Sequence, residues 1–334
     1  MNSSNGTQKT LLLSRRDICD LISLGDYITV VEQAFRMYSE GRSLKPEMMH
    51  VNSVVGEFHV KGGGLELQER LFGLKINGDF PLNSDRFGIP SIQGMIVLFS
   101  GENGYPLAIM DSREITLQRT GAATAVAAKY LANPNSDTVT ICGCGAQGRI
   151  QLRALAEVLP IRRAFAFSRD QSRARAFAAE MGSELGIDVK PAEDLRQPVQ
   201  ASNVCVTCTR STRYFLLKEY VTAGTFIAAV GADSPAKQEL DPELLMSNKV
   251  VVDLREQCAK VGELRHALTR GFSESNVHAE LGEIVSGKKP GRTSEDEIII
   301  FDSTGTALQD VAAAAAVYEK AKHLGRGRTL DFVQ

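Results

Sequence analysis

Between an apolar stretch at residues 137–141 and a helix-patterned stretch at residues 149–155, the chain reads Gly143-Cys144-Gly145-Ala146-Gln147-Gly148. This G-x-G-x-x-G spacing suits a dinucleotide. Its glycines let the backbone turn tightly and approach a pyrophosphate, and the unpaired N–H groups at the helix start carry partial positive charge. The competing reading is a glycine-rich strand-to-helix turn that holds nothing. Twenty positions beyond Gly148, where an NAD site usually places a carboxylate on the ribose 2′-OH, the chain has Ser168-Arg169. No acid there repels a 2′-phosphate, so NADP is favoured over NAD. Asp170, one step later, restores NAD binding if the loop turns inward.

Four ionisable residues stand where charge needs a reason. Lys75 ends the apolar run Leu71-Phe72-Gly73-Leu74; an unpaired ammonium is costly to bury, so it is either neutralised by a structural carboxylate or held for an anionic ligand. Lys61, ahead of the flexible run Gly62-Gly63-Gly64, reads by itself as a solvated loop lysine. Arg119 introduces an alanine-rich stretch and is either a surface arginine or a planar clamp for a carboxylate. Asp233 follows the apolar residues 226–232 at the carboxyl edge of a predicted sheet, where ligands bind in such folds; it either shuttles a proton or caps the turn at Ser234-Pro235.

These residues need elements to hold them. Ile28, Val31, Phe35 and Tyr38 recur at helical spacing and predict an opening helix over 26–40, closed by Gly41. Strands are expected at 57–60, 71–77, 94–99 and 106–110, separated by Gly, Pro, Asn and Asp, which makes an α+β unit. An alanine-rich helix over 122–132 is stopped by Asn133-Pro134, and a domain boundary is expected within or beside it. Beyond it, strands at 164–168, 204–209, 226–230, 250–254 and 298–301 alternate with helical stretches. That alternation predicts an α/β fold, a doubly wound parallel sheet of Rossmann type. A last helix over 307–321 presents an alanine face suited to close packing.

Bulk properties narrow the function. With 334 residues, two domains are expected. Lys and Arg number 38 against 40 Asp and Glu, so no net field attracts nucleic acid or an acidic membrane. No apolar run approaches the roughly 18 residues of a membrane span, and residues 1–7 are polar rather than signal-like. A cytoplasmic protein acting on a small molecule is expected. The six cysteines allow a zinc or a redox reading, but Cys205 and Cys208 lie three apart on one predicted strand and point to opposite faces. Buried reduced thiols and no metal site are expected.

Several separated stretches occur together: Gly73-Leu74-Lys75 with Pro81-Leu82-Asn83; Arg119-Thr120-Gly121-Ala122-Ala123 reaching Leu131; the glycine turn; Ala229-Val230-Gly231-Ala232-Asp233 with Lys237-Gln238-Glu239-Leu240; Gly262-Glu263; and Phe301-Asp302-Ser303-Thr304-Gly305 reaching Asp310. In this order they resemble the ornithine cyclodeaminase and mu-crystallin family of NAD(P)-dependent enzymes, from about Leu71 to Ala321. The resemblance implies a homodimer in which residues 1–122 and 306–334 form the substrate and dimerisation domain and residues 123–305 the nucleotide domain. It assigns Lys75 and Arg119 to the substrate carboxylate and Asp233 to general acid/base work at the α-nitrogen. Ser91, Arg119, Thr120, Ala146, Gln147, Ser168, Arg169, Thr209, Val230, Lys237 and Ser303 fall at cofactor-contacting positions.

Departures from the family pattern bear on the substrate. Met48 fills a slot where relatives often carry a basic residue that contacts the carboxylate. Ornithine cyclodeaminases carry an acidic residue near the segment that here reads His59-Val60-Lys61. Lys61 fits a second carboxylate or a small neutral side chain better than an ammonium group. The reaction expected is hydride delivery to Cα of a 2-imino acid, such as a cyclic ketimine, alanine imine or iminosuccinate. The alternatives are ornithine or lysine cyclodeamination with catalytic NAD and, from another class, a non-catalytic NADP-dependent ligand-binding protein of the mu-crystallin kind.

Overall fold

A computed structural model describes residues 9–332, so the polar stretch 1–7 lies outside the described residues. The chain divides into two compact units: one runs to Arg119 and resumes at Thr306, and the other is Thr120–Gly305.

The first unit is built on a seven-stranded sheet. Its strands are β1 (Thr10–Leu13), β2 (Ser43–Asn52), β3 (Glu57–Glu66), β4 (Arg70–Asp79), β5 (Ile92–Ser100) and β6 (Pro106–Asp111), with a closing strand at Arg328–Leu330. The spatial order is closing strand, β1, β6, β5, β4, β3, β2, and only the β1–β6 pair is parallel. β2 was not expected, because Lys45-Pro46-Glu47 interrupts any apolar pattern. The strand absorbs the proline through a register shift between Leu44 and Glu47 at the sheet edge, where a missing N–H is tolerated.

Register turns sequence position into rows on one face. Directly opposed residues of antiparallel strands share a face, so Met48, Lys61, Lys75, Ile96 and Met110 form one row across five strands. The neighbouring row contains Gly63, Gly73, Leu98 and Ala108. On the other side lie His50, His59, Asn77 and Gly94. Gly62-Gly63-Gly64 is therefore strand interior rather than a flexible run, and Lys61 lies on β3 rather than in a loop.

The glycine row exists because the terminal helix Ala307–Leu324 lies against it. A Cβ on Gly73 would stand 2.7 Å from Val311 Cγ2, and one on Gly63 would stand 3.1 Å from Ala307 Cβ. The opening helix Leu24–Ser39 starts two residues earlier than its apolar spacing suggested, because Ser23 and Asp26 form a capping box. Gly41, at φ +75°, follows its end. The opposite sheet face carries Met49, Val51, Phe58, Ile76 and Met95, all exposed.

The second unit contains an eight-stranded, wholly parallel sheet. Along the chain its strands are β7 (Thr138–Cys142), β8 (Arg163–Phe167), β9 (Asp188–Ala192) and β10 (Val204–Thr207). β11 (Thr212–Leu216) leaves the sheet. β12 (Phe226–Ala229) returns to it, and β13 (Gln238–Leu240) pairs with β11. β14 (Lys249–Val252), β15 (Ala279–Glu280) and β16 (Ile299–Asp302) complete the main sheet. The order is β15-β14-β16-β12-β10-β7-β8-β9, so the winding reverses between β7 and β10. That is the switch point at which doubly wound folds bind ligands, and the Rossmann-type reading holds. Central strands such as β7 and β10 are buried at every residue, which is why they read as short runs of β-branched and apolar residues, with Thr138, Thr140 and Thr207 buried among them.

The alanine-rich helix is longer than expected, Ser112–Leu131, and the division at Arg119/Thr120 falls within it. Arg119 is thus mid-helix rather than at a helix start, and it is buried rather than on the surface. All six cysteines are free thiols.

Candidate active site

In the first unit, three cations and one carboxylate meet on the covered face of the sheet. Lys75, on β4, places Nζ 2.6 Å from Asp310 Oδ2. Arg119 donates from Nε to Asp310 Oδ1 at 2.8 Å and from Nη1 to Gln309 Oε1 at 2.9 Å. Lys61 stands opposite Lys75 in the register. Lys61, Lys75 and Arg119 are 5%, 2% and 5% exposed. Lys75 therefore does have the structural carboxylate that its burial required, yet one carboxylate set against three cations leaves these four residues an excess of positive charge. Burial drives the Lys75 ammonium down to about 7; Asp310 opposes that shift, while Arg119 and Lys61 add to it. Burial alone would raise Asp310, but Arg119 and Lys75 hold its carboxyl below the ordinary range. The amide Nε2 of Gln309 is buried with no hydrogen-bond partner among the described residues. Excess positive charge beside an unsatisfied donor is the chemistry that takes a carboxylate.

Asp310 and Gln309 carried no role in the sequence reading. The available signal was a pair of polar residues heading an otherwise alanine-rich helix. Glu57 was also overlooked: it shares a face with His59 and Lys61, but its carboxylate is taken up by His50 and His59. Met48 is half-buried on edge strand β2, opposite Lys61. Ser91 precedes β5, and its carbonyl accepts from Phe80 N at 2.9 Å.

In the second unit the glycine turn follows β7 and opens the helix Ala146–Val158. Gly143 has φ +120°, and a Cβ there would lie 2.8 Å from the Cys208 carbonyl oxygen. A Cβ on Gly148 would lie 2.0 Å from Gly143 O, whereas one on Gly145 would meet nothing within 4 Å. Gly145 is the N-cap and supplies no side-chain cap to the first-turn N–H groups. Gln147 Oε1 is buried without a partner among the described residues. An open glycine cradle, uncapped N–H donors and an orphaned amide oxygen all fit a dinucleotide. After β8, Ser168 is half-buried and Arg169 exposed, while Asp170 caps the next helix by accepting from Ser172 N at 2.9 Å. Thr120, buried, accepts from Gln151 Nε2 through its carbonyl at 3.4 Å.

At the carboxyl ends of β10 and β12, buried Glu239 accepts from Thr209 N at 2.5 Å and from Gly231 N at 3.0 Å. Val230 N donates to Thr207 O at 2.8 Å and Ser303 N to Ala229 O at 2.9 Å, which fixes the other expected cofactor positions in the backbone. Glu263 accepts in turn from Glu239 N at 2.6 Å. Burial pushes both glutamic acids up. Asp233, beyond β12, is half-exposed, and its Oδ1 accepts from Lys237 Nζ at 2.5 Å.

The model of the ornithine cyclodeaminase/mu-crystallin family matches residues 8–325. An archaeal alanine dehydrogenase, solved as a dimer with bound NAD, is 38% identical, with 97% of this chain and 99% of that chain covered at a TM-score of 0.92. The Δ1-pyrroline-2-carboxylate reductase of Thermococcus litoralis, solved with NADH and L-proline, is 34% identical over 96% and 100% of the two chains at 0.92. The iminosuccinate reductase of Paracoccus denitrificans, solved with NAD+, is 30% identical over 97% and 100% at 0.89. All three hold NAD in one redox state or the other, which supports a nicotinamide cofactor here. Among the described residues, no helix is long and apolar enough to cross a membrane.

Proposed function

Because the chain belongs to the ornithine cyclodeaminase/mu-crystallin family, we propose that it is an NAD(P)-dependent reductase that converts a 2-imino acid to an amino acid. The observation that carries this reading is the buried cation cluster, where Lys75 and Arg119 converge on Asp310 and Arg119 also holds Gln309, whose amide Nε2 is unsatisfied among the described residues. When bound, the nicotinamide supplies the hydride that Cα receives. Lys75 and Arg119 hold the substrate carboxylate, and positioning of this kind contributes several kcal/mol to lowering a barrier. Asp233, tethered by Lys237, provides the proton for the α-nitrogen; hydride at carbon and proton at nitrogen together complete the amine. Lys61, buried in the next strand, favours a second carboxylate or a small neutral side chain over a distal ammonium group.

The first unit serves as substrate and dimerisation domain and the second as nucleotide domain. Gly143, Gly145, Ala146, Gln147 and Gly148 hold the pyrophosphate. Ser91, Thr120, Thr209, Val230, Lys237 and Ser303 complete the cofactor's surroundings, and Met48 borders the substrate. NADP is preferred to NAD, because Ser168 and Arg169 place no acid at the 2′ position and the Asp170 carboxylate is engaged in capping a helix. The chain forms a homodimer through the exposed apolar face that carries Met49, Val51, Phe58, Ile76 and Met95, a contiguous surface of the type that marks an interface.

The test is oxidation of NADPH and NADH with Δ1-pyrroline-2-carboxylate, and with pyruvate or oxaloacetate plus ammonia. Ornithine is supplied separately with catalytic NAD. Cofactor oxidation with an imino acid is expected. Ammonia and proline from ornithine without net cofactor change would establish cyclodeamination instead, and tight NADPH binding without any turnover would establish a binding protein.

A further inference from the structure

The cluster His50, Glu57 and His59 takes no part in the chemistry above. His50 on β2 stands directly opposite His59 on β3, and Glu57 lies two residues before His59, so all three side chains share one face. His50 Nε2 is 2.7 Å from Glu57 Oε2, and His59 Nε2 is 3.0 Å from Glu57 Oε1. The imidazole centroids are 4.5 Å apart. One ligand atom from each residue lies within 4.8 Å of the others.

We propose that His50, Glu57 and His59 form a binding site for a borderline divalent transition metal, Zn2+ foremost. Two imidazoles and one carboxylate are the three-ligand set that zinc accepts while leaving a fourth position open; calcium and magnesium prefer all-oxygen sites. Zn–N and Zn–O bonds of about 2.0–2.1 Å in a tetrahedron set ligand separations of about 3.3 Å. The His50 Nε2–Glu57 Oε2 separation needs to widen by well under 1 Å to reach that value, and the ligand atoms of all three residues lie within 4.8 Å of one another. The frame is already fixed, because strand register rather than a loop sets the opposition of the two histidines.

The experiment uses the full chain, stripped with chelator and titrated with Co2+. One equivalent per chain is expected, with the visible bands of a low-coordinate site, followed by displacement by Zn2+. His50→Gln and His59→Gln should each weaken uptake by more than about tenfold, the scale on which even outer-shell partners act. Should either variant fail to fold, X-ray absorption on zinc-loaded wild-type protein decides without it: two imidazoles and oxygen in the first shell support the site. Sulfur ligation, no saturable uptake by wild type, or undiminished uptake by a folded His50→Gln/His59→Gln variant would each overturn it.

Discussion

Lys75 and Asp310 form a 2.6 Å ion pair in which each side chain is only 3% exposed, and the second oxygen of Asp310 receives Arg119 at 2.8 Å. Two missing side chains make the approach possible. With Gly63 and Gly73 in the row beside Lys75, the terminal helix lies close enough to the sheet for Asp310 to reach the lysine.

Asp310→Asn removes the charge that offsets Lys75 and Arg119 while keeping the shape. Breaking a buried pair from one side leaves uncompensated charge, so stability should fall by about 3–5 kcal/mol. The shift in chemical-denaturation midpoint measures it. An unchanged midpoint would mean that the pair contributes nothing net.

Substrate affinity should depend on pH through Lys75. Its ammonium is driven to about 7, first by burial and then by Arg119 and Lys61 against the pull of Asp310. The group is charged below that pH and neutral above it, and a carboxylate binds the charged form. Affinity for a carboxylate inhibitor is therefore expected to be level below pH 7 and to fall above it, by up to about tenfold per pH unit. Lys75→Arg stays protonated throughout and should flatten the profile. A persistent slope in that variant would assign the titration elsewhere.

Gly145 and Gly148 should respond differently to alanine. A Cβ at Gly148 collides with Gly143 O at 2.0 Å, whereas one at Gly145 meets no protein atom within 4 Å. Gly148→Ala is expected to lower both thermal stability and cofactor affinity. Gly145→Ala should melt like wild type and still lose at least about tenfold in cofactor affinity, or 1.4 kcal/mol. Equal cofactor binding by Gly145→Ala would show that nothing approaches the turn there.

Cofactor choice should turn on Ser168. Placing a carboxylate beside the ribose repels a 2′-phosphate, so Ser168→Asp is expected to move the ratio of kcat/KM values from NADPH toward NADH. No movement would mean that Ser168 and Arg169 lie away from the ribose.

The unit Thr120–Gly305 was legible because its buried parallel strands are short, largely apolar runs and its glycine turn has local causes. The unit built on the seven-stranded sheet was less so. Glycines are depleted in strands, so Gly62-Gly63-Gly64 reads as a loop until the terminal helix is seen to require the bare backbone of Gly63. Arg119 was read as entering a helix because the alanines begin after it, although the helix starts at Ser112. The pairing of Lys75 with Asp310 spans most of the chain, and the meeting of His50 with Glu57 and His59 depends on strand register. Neither leaves a local pattern.

In the function proposed above, proton transfer rests on Asp233. Its carboxylate is half-exposed and held by Lys237 at 2.5 Å, whereas Asp310 is buried. Asp233→Asn keeps the side-chain shape but cannot give or take the proton at the α-nitrogen. General acid/base contributions are typically about 10²–10⁴-fold, and kcat should fall on that scale while melting temperature and the Kd for NADPH hold near wild type. Both readouts are needed: a fall in kcat accompanied by lost cofactor binding would make Asp233 a structural anchor for the segment after β12. Unchanged turnover would place the proton donor elsewhere.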